Sequence, residues 1–185
     1  MSDLQKTIAI LATHGFEQSE LEVPLEKLKA AGATVHVVSP EAGEIKGWDE
    51  KDWGRAVPVD VKLDQADPAD YDALVLPGGQ INPDVLRVND DALAFVKSIY
   101  DAGKVVAAIC HAPWLLVETG IAKGRKMTSY PSVKTDVINA GGKWEDSEVV
   151  TDKGLVTSRN PGDLDAFCAK IIEEIKEGRH ERKAA

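Results

Sequence analysis

Two cysteines in 185 residues, Cys110 and Cys168, are too few for a disulfide framework. A disulfide-stapled secreted scaffold is thereby set aside, and a reducing, cytoplasmic compartment is the simplest reading. Long apolar runs are also missing. The run nearest the N-terminus covers seven residues, Thr7 to Thr13, too few to span a bilayer, and no small-residue cleavage site follows a longer one. No membrane partner is expected. Basic charge is scarce: 22 Lys and Arg face 31 Asp and Glu, a formal net charge of −9. A nucleic-acid partner needs a basic face against phosphate, so none is expected. The basic cluster in the terminal "KEGRHERKAA" reads as a solvated end. His14, His36, His111 and His180 show no ligand spacing with Cys or acid, so no metal is expected. No G-x-G-x-x-G follows an apolar run, so nothing marks a dinucleotide site and no cofactor is expected. Repeats and low-complexity segments are absent, and the length suits one domain, residues 1–185.

What is present alternates. Apolar, β-branched runs at 7–13, 34–40, 73–79, 105–110 and 154–158 suit strands covered on both faces. Between them the spacing predicts helices over 17–31, 83–102 and 161–177. Pro24 belongs in the first turns of its helix or kinks it, and "NPD" reads as a cap followed by proline at the start of the second. Strands alternating with helices predict an α/β three-layer sandwich with a mostly parallel central sheet. Residues 41–65 break the pattern and read as an exposed antiparallel excursion, with "VPVDVKLD" alternating at period two. Residues 148–158 read as a hairpin turning at 152–154.

The two cysteines differ in setting. Cys168 lies in "LDAFCAKIIEEI", one turn from Leu164 and one from Ile172, on the apolar face of a helix, where cysteine serves as a small hydrophobe. Cys110 ends the apolar run "VVAAIC" and precedes a helical "HAPWLLVETG". Ala108 and Ala112 flank it at minus two and plus two, the small-x-nucleophile-x-small pattern of a sharp strand-to-helix elbow. N–H groups and the dipole at the helix start would stabilise a thiolate. The competing reading is a buried structural cysteine. His111 is either its base or a polar residue closing the turn. In "LPGGQINPD", Gly78 and Gly79 also end a strand; they form an ordinary turn or present N–H groups to a ligand as oxyanion donors. "HGFEQSELEV" supplies Glu17, Glu20 and Glu22, which complement a helix dipole or reach the crevice at the strand ends.

Four ordered blocks over nearly the whole chain resemble the ThiJ/PfpI superfamily, and its PfpI branch most. They are "GFEQSELEVPLEKLKAAG", "YDALVLPGG", "AICHAPWLL" and "GRKMTSYPSVKTDVINAGGKWEDSEVVTDKGLVTSRNPGDL". The resemblance implies a flavodoxin-like fold of the class I glutamine amidotransferase type. It implies Cys110 as nucleophile, His111 as adjacent base, Glu20 as a buried acid hydrogen-bonded to the sulfur, and Gly79 on the oxyanion side. Tyr130 stands where a related branch carries histidine. Asp84 matches the acid that peptidase members draw from a neighbouring subunit, although "QINPD" is one residue longer than the usual spacing. Ala112 replaces the usual glycine, and its methyl bears on pocket size.

The reading that follows is a stress-response cysteine hydrolase with deglycase or glyoxalase-like action on methylglyoxal or glyoxal, or on glycated protein or peptide. An intracellular cysteine peptidase and a redox sensor or chaperone working through oxidation of Cys110 are the alternatives. A glutamine amidotransferase subunit fits worse, because after His111 the only histidine is His180, in the polar tail. Trp48 and Trp53, in a polar stretch, mark an interface, and the resemblance implies a homodimer or larger homo-oligomer.

Overall fold

The computed structural model describes residues 3–182. In chain order the elements are β1 (Thr7–Leu11), α1 (Gln18–Ala30), β2 (Thr34–Ser39), β3 (Glu44–Asp49), β4 (Asp52–Pro58) and β5 (Val61–Lys62). Then follow β6 (Ala73–Leu76), α2 (Ile81–Leu86), α3 (Asp90–Asp101), β7 (Val105–Ile109) and α4 (Pro113–Glu118). The last are β8 (Lys126–Met127), α5 (Lys134–Asn139), β9 (Lys143–Trp144), β10 (Val150–Asp152), β11 (Leu155–Ser158) and α6 (Leu164–Glu177).

Seven strands form one sheet in the order β10-β11-β7-β6-β1-β2-β5, parallel throughout except where β10 meets β11. Alternate residues of each strand enter opposite layers. Ile8 and Ile10 pack with Leu21 and Leu28 of α1 and Phe167 and Ile171 of α6. Ala9 and Leu11 join Phe95, Val96 and Ile99 of α3 and Leu115 and Leu116 of α4. Because helices cover both faces, strands such as β6 and β7 are buried at every position, which explains their unbroken apolar sequence. The architecture is the expected flavodoxin-like three-layer α/β sandwich. From β1 the chain runs outward through β2 and β5, then returns to β6 on the other side of β1. That reversal creates a crevice at the strand C-termini.

Three local expectations come out differently. The single helix expected over 83–102 is two, α2 and α3, because Asn89 stops one and caps the next, its side chain accepting from the Ala92 N–H at 2.9 Å. The "NPD" proline is not at a cap but inside α2, with Asn82 buried beside it. In the excursion, β3 and β4 do pair as an antiparallel hairpin, but β5 leaves it to join the main sheet parallel to β2. Pro24 lies beyond the first turn of α1, where it withholds the N–H that would bond the Glu20 carbonyl. The 148–158 hairpin forms through Lys153 and Gly154, with φ of 49° and 77°, both positive as a two-residue primed turn requires. Among the described residues no helix is long and apolar enough to cross a membrane.

Candidate active site

Three loops meet over the crevice, following β1, β6 and β7. Cys110 follows β7 with φ of 65°, a left-handed conformation that side chains rarely adopt. Two long-range bonds hold it there: its N–H donates to the Ser158 carbonyl at 3.1 Å, and its carbonyl accepts from the Tyr130 N–H at 2.8 Å. Ala108 and Ala112 are fully buried on either side, so the elbow read from the sequence is the observed geometry. A cleft of about 520 Å³ opens above the sulfur. It is lined by Glu20, Gly79, Cys110, His111 and Tyr130, and also by Glu17, Trp48 and Glu50.

His111 bends back onto the sulfur, with Nδ1 3.1 Å from Cys110 Sγ. Its other nitrogen, Nε2, lies 3.2 Å from Ser132 Oγ. If Nδ1 accepts from the thiol, Nε2 carries the proton and donates to Ser132. The ring stacks on Tyr130 with centroids 4.6 Å apart and meets Trp114 edge-on at 5.2 Å. Burial lowers the His111 pKa, which keeps the imidazole neutral and able to accept a proton.

The two glycines do different things. Gly78 donates its N–H to Glu20 Oε2 at 2.8 Å. Gly79 has φ of 83°, and a Cβ there would lie 2.5 Å from the Gly15 carbonyl oxygen, so the loop after β6 can touch the loop after β1 only without a side chain. The N–H groups of Gly79 and His111 are directed at Cys110 Sγ. Asn82 holds this loop in place. Its amide nitrogen donates to the carbonyls of Pro77 and Gly78 at 2.9 and 3.2 Å, and its oxygen accepts from the Thr13 N–H at 2.7 Å.

Glu20 is fully buried. Burial, the largest influence, pushes its carboxyl up to about 8, with the Gly78 N–H acting the other way. Burial also pushes the Cys110 thiol up and the Glu20 charge pushes it further, opposed by the N–H groups of Gly79 and His111. The lowered thiol expected from the sequence is therefore not the outcome: desolvation and the Glu20 charge outweigh the N–H groups at the elbow. Glu20 and Cys110 shift each other's ionisation through charge and through a side-chain contact that favours the neutral thiol and the ionised carboxyl. That contact is poorly enough aligned to leave Oε1 without a hydrogen bond of good geometry. One negative charge shared between them, with the proton on Glu20 and the charge on sulfur, is the nucleophilic form. Cys168 is buried on α6 and packed in the core, its thiol pushed up to about 11 by burial.

Of the residues singled out in the sequence, Cys110, His111, Glu20, Gly78, Gly79 and Tyr130 converge. Asp84 does not; it is exposed on α2 and does not line the cleft. Glu22 is bound to Arg55 at the surface. Trp48 is half-buried against Trp53 and forms a cleft wall, so of the two tryptophans Trp53 is the exposed one. Asn82, Ser132 and Glu50 carried no local signal, since each acts on residues far away in the chain.

The chain matches known proteins along its length. A family model described as the DJ-1/PfpI family matches residues 6–174. Deglycase TK1284 of Thermococcus kodakarensis is 43% identical over 169 residues, 91% of this chain and 99% of that protein. Putative cysteine protease YraA of Bacillus subtilis is 39% identical over 174 residues, 94% of this chain and 100% of that protein. The crystal structure of Drosophila melanogaster DJ-1beta superposes with a TM-score of 0.82 at 31% identity, covering 94% of this chain and 95% of that one. A match that takes in every strand described here, and all but the last turn of α6, makes the chain a member of the DJ-1/PfpI family.

Proposed function

We propose that the protein is a cysteine-dependent deglycase of the stress-response kind, acting on methylglyoxal or glyoxal and on their early adducts with proteins. One observation carries the reading: the strained elbow holds Cys110 Sγ 3.1 Å from a neutral imidazole, at the floor of a cleft sized for a small carbonyl compound or one modified side chain. The near-full-length likeness to a protein named a deglycase supports it. Cys110 is the nucleophile, His111 the base, and Glu20 the acid that retains its proton beside the sulfur. The thiolate attacks the carbonyl carbon, an S–C bond forms, and the carbonyl electron pair moves to oxygen. The N–H groups of Gly79 and His111 hold that oxyanion, and the proton taken up by His111 returns to it, giving a hemithioacetal. A proton then moves from its carbon to the neighbouring carbonyl carbon, which makes a thioester with no net oxidation. Water cleaves the S–C bond to release a 2-hydroxy acid and restore the thiol. In an adduct, the amino-acid nitrogen or sulfur first leaves with a proton as the hydroxyl carbon returns to the aldehyde. We further propose that residues 1–185 form one domain, that the protein works in the cytoplasm, and that it needs no cofactor or metal. The test is turnover of methylglyoxal and of methylglyoxal-treated N-acetyl amino acids. Cys110→Ser should abolish it, and His111→Ala should cost about 10²-fold or more in kcat. Wild-type turnover no greater than that of Cys110→Ser overturns the proposal.

A peptidase reading is kept because YraA carries a cysteine protease name. Asp84 could serve it only from a second copy. The face of α2 and the turn after it expose Ile81, Val85 and Val88 beside Asp84, an apolar patch suited to a homo-oligomer. Cleavage of unfolded protein that disappears in both Cys110→Ser and Asp84→Asn would favour this reading.

A further inference from the structure

With His111 held neutral by burial, the charged side chains around the cleft carry one sign. Besides Glu20 they are Glu17 and Glu50, and among the described residues no Lys or Arg lines it. Lys51, next to Glu50 in the β3–β4 turn, is not part of the lining. The nearby arginines are occupied, Arg55 by Glu22 and Arg159 by Asp146 and Asp163. Glu17 precedes α1, where an acid ordinarily caps the helix, yet its side chain makes no cap bond. It is instead half-buried at the cleft, and burial, Asp49 and Glu50 together raise its pKa. Glu50 is held in place: its φ is 55°, and its carbonyl accepts from Trp48 Nε1 at 3.1 Å. Glu17 and Trp48 are bridged through their backbones, so the three residues form one wall. Trp48 and Tyr130 add aromatic faces, which attract cations. At the floor of the same cleft Glu20 is fully buried, and its Oε1, beside the Cys110 sulfur, has no well-aligned hydrogen-bond partner.

We propose that Glu17 and Glu50, with Trp48, select for positive charge, so that the preferred substrates are carbonyl adducts that keep a cation beside the reacting carbon, arginine-derived adducts above all. The substrate half of this proposal rests on the deglycase reading; the charge selection does not. A dicarbonyl added to a guanidinium leaves a cation, whereas a cysteine hemithioacetal is neutral and a 2-oxo acid is an anion. The acidic wall attracts the first and repels the last. A bound cation also offsets the negative field on Cys110 and favours its thiolate, so the substrate that fits best helps create its own nucleophile.

Methanethiosulfonate reagents of matched size, one bearing trimethylammonium and one sulfonate, test the selection without turnover. Modification of Cys110 is followed by peptide mass spectrometry, with N-acetylcysteine as reference. Both reagents react with the same thiolate, so their rate ratio cancels its population. Wild type should exceed the cation-to-anion ratio of N-acetylcysteine by about tenfold or more at low salt, and 1 M salt should reduce that excess. One charge several ångströms away in a wet cleft changes each rate by about threefold, so Glu17→Gln or Glu50→Gln should lower the ratio by about three- to tenfold. Asp91→Asn, an exposed acid on α3, should not. Glu50 is exposed in a turn, so its variant keeps the test valid if Glu17→Gln misfolds. A wild-type ratio equal to that of N-acetylcysteine, or rim variants no different from Asp91→Asn, overturns the selection. With the ratio intact, equal kcat/KM for the arginine and cysteine adducts of methylglyoxal overturns the substrate half. With the ratio intact and no turnover of any adduct, the deglycase reading fails, and the substrate half falls with it while the charge selection stands.

Discussion

Gly78 donates its N–H to Glu20 Oε2 at 2.8 Å and also lies against the elbow: a Cβ built on it would fall 2.5 Å from Oε2 and 2.7 Å from Cys110 Cβ. The acid and the nucleophile are neighbours because the residue between them has no side chain. Gly78→Ala should therefore push the two apart. We expect a stability loss of about 1–3 kcal/mol, the usual cost of overpacking, and Cys110 alkylation at least tenfold slower. Denaturant melts and iodoacetamide kinetics measure both, and a variant with wild-type kinetics would show that this contact does not set the site.

The raised carboxyl predicts how stability follows pH. Glu20 ionises near 4.5 when unfolded and at about 8 when folded. Between these values the unfolded chain has lost a proton that the folded chain keeps, so this group's contribution to stability falls as pH rises. Below 4.5 the contribution is fully present, and above about 8 the fall ends. The slope is about 1.4 kcal/mol per pH unit where the two states differ by one proton. Glu20→Gln should flatten it. Urea melts of both proteins at pH 5, 6.5 and 8 give the difference, and parallel curves would contradict the assignment.

The same ionisation should govern reactivity. Alkylation of Cys110 by iodoacetamide should rise with pH, because the thiolate is the reacting form and burial and the Glu20 charge hold the thiol above its ordinary value. Glu20→Gln retains a hydrogen-bond donor and should keep part of the reactivity. Glu20→Leu should slow alkylation and shift the profile. If folded Glu20→Leu keeps the wild-type profile, Glu20 is not the partner of the cysteine.

Asn82 joins the loop after β1 to the loop after β6 through three hydrogen bonds. Asn82→Ala leaves the Thr13 N–H and the Pro77 and Gly78 carbonyls without that partner, at a cost on the order of 3 kcal/mol. Asn82→Asp keeps the acceptor for Thr13 but sets a buried carboxylate against the Pro77 and Gly78 carbonyls, and should cost at least as much at neutral pH. Thermal melts rank the three proteins, and an Asn82→Ala melt equal to wild type would remove Asn82 from this role.

Oxidation should separate the two thiols. Cys110 opens onto the cleft, while Cys168 is 1% exposed and packed in the core. Mild peroxide should convert Cys110 to the sulfinic form and leave Cys168 reduced. The Glu20 carboxyl, protonated below about 8, is a nearby donor for the new oxygens. Peptide mass spectrometry that finds Cys168 modified first would reverse this assignment. Turnover of methylglyoxal by the unoxidised protein separates the enzyme from the redox sensor.

What the sequence determined by itself is what depends on near neighbours or on repeating pattern. Unbroken apolar runs required strands covered on both faces, and alternation with helical periods required the layered sheet. Small residues two positions either side of Cys110 allowed the elbow, and the helical spacing around Cys168 set it in the core. The motif blocks that carried the family resemblance brought in Glu20, although its burial could not be read from one strand end. The tertiary structure decided the rest, because those relations join residues far apart in the chain. Asn89, between two apolar stretches, had no local mark separating a cap from a helical position. Val61 and Lys62 continued an alternating pattern that fits a hairpin and a parallel edge equally well. Asp84 shared a motif with the glycines but not their cleft. Trp48 and Glu50 became a wall of the site only when the β3–β4 hairpin bent over it. The direction of the thiol shift had the same origin: a helix start is visible in sequence, but the desolvation that outweighs it depends on every element packed around the sulfur.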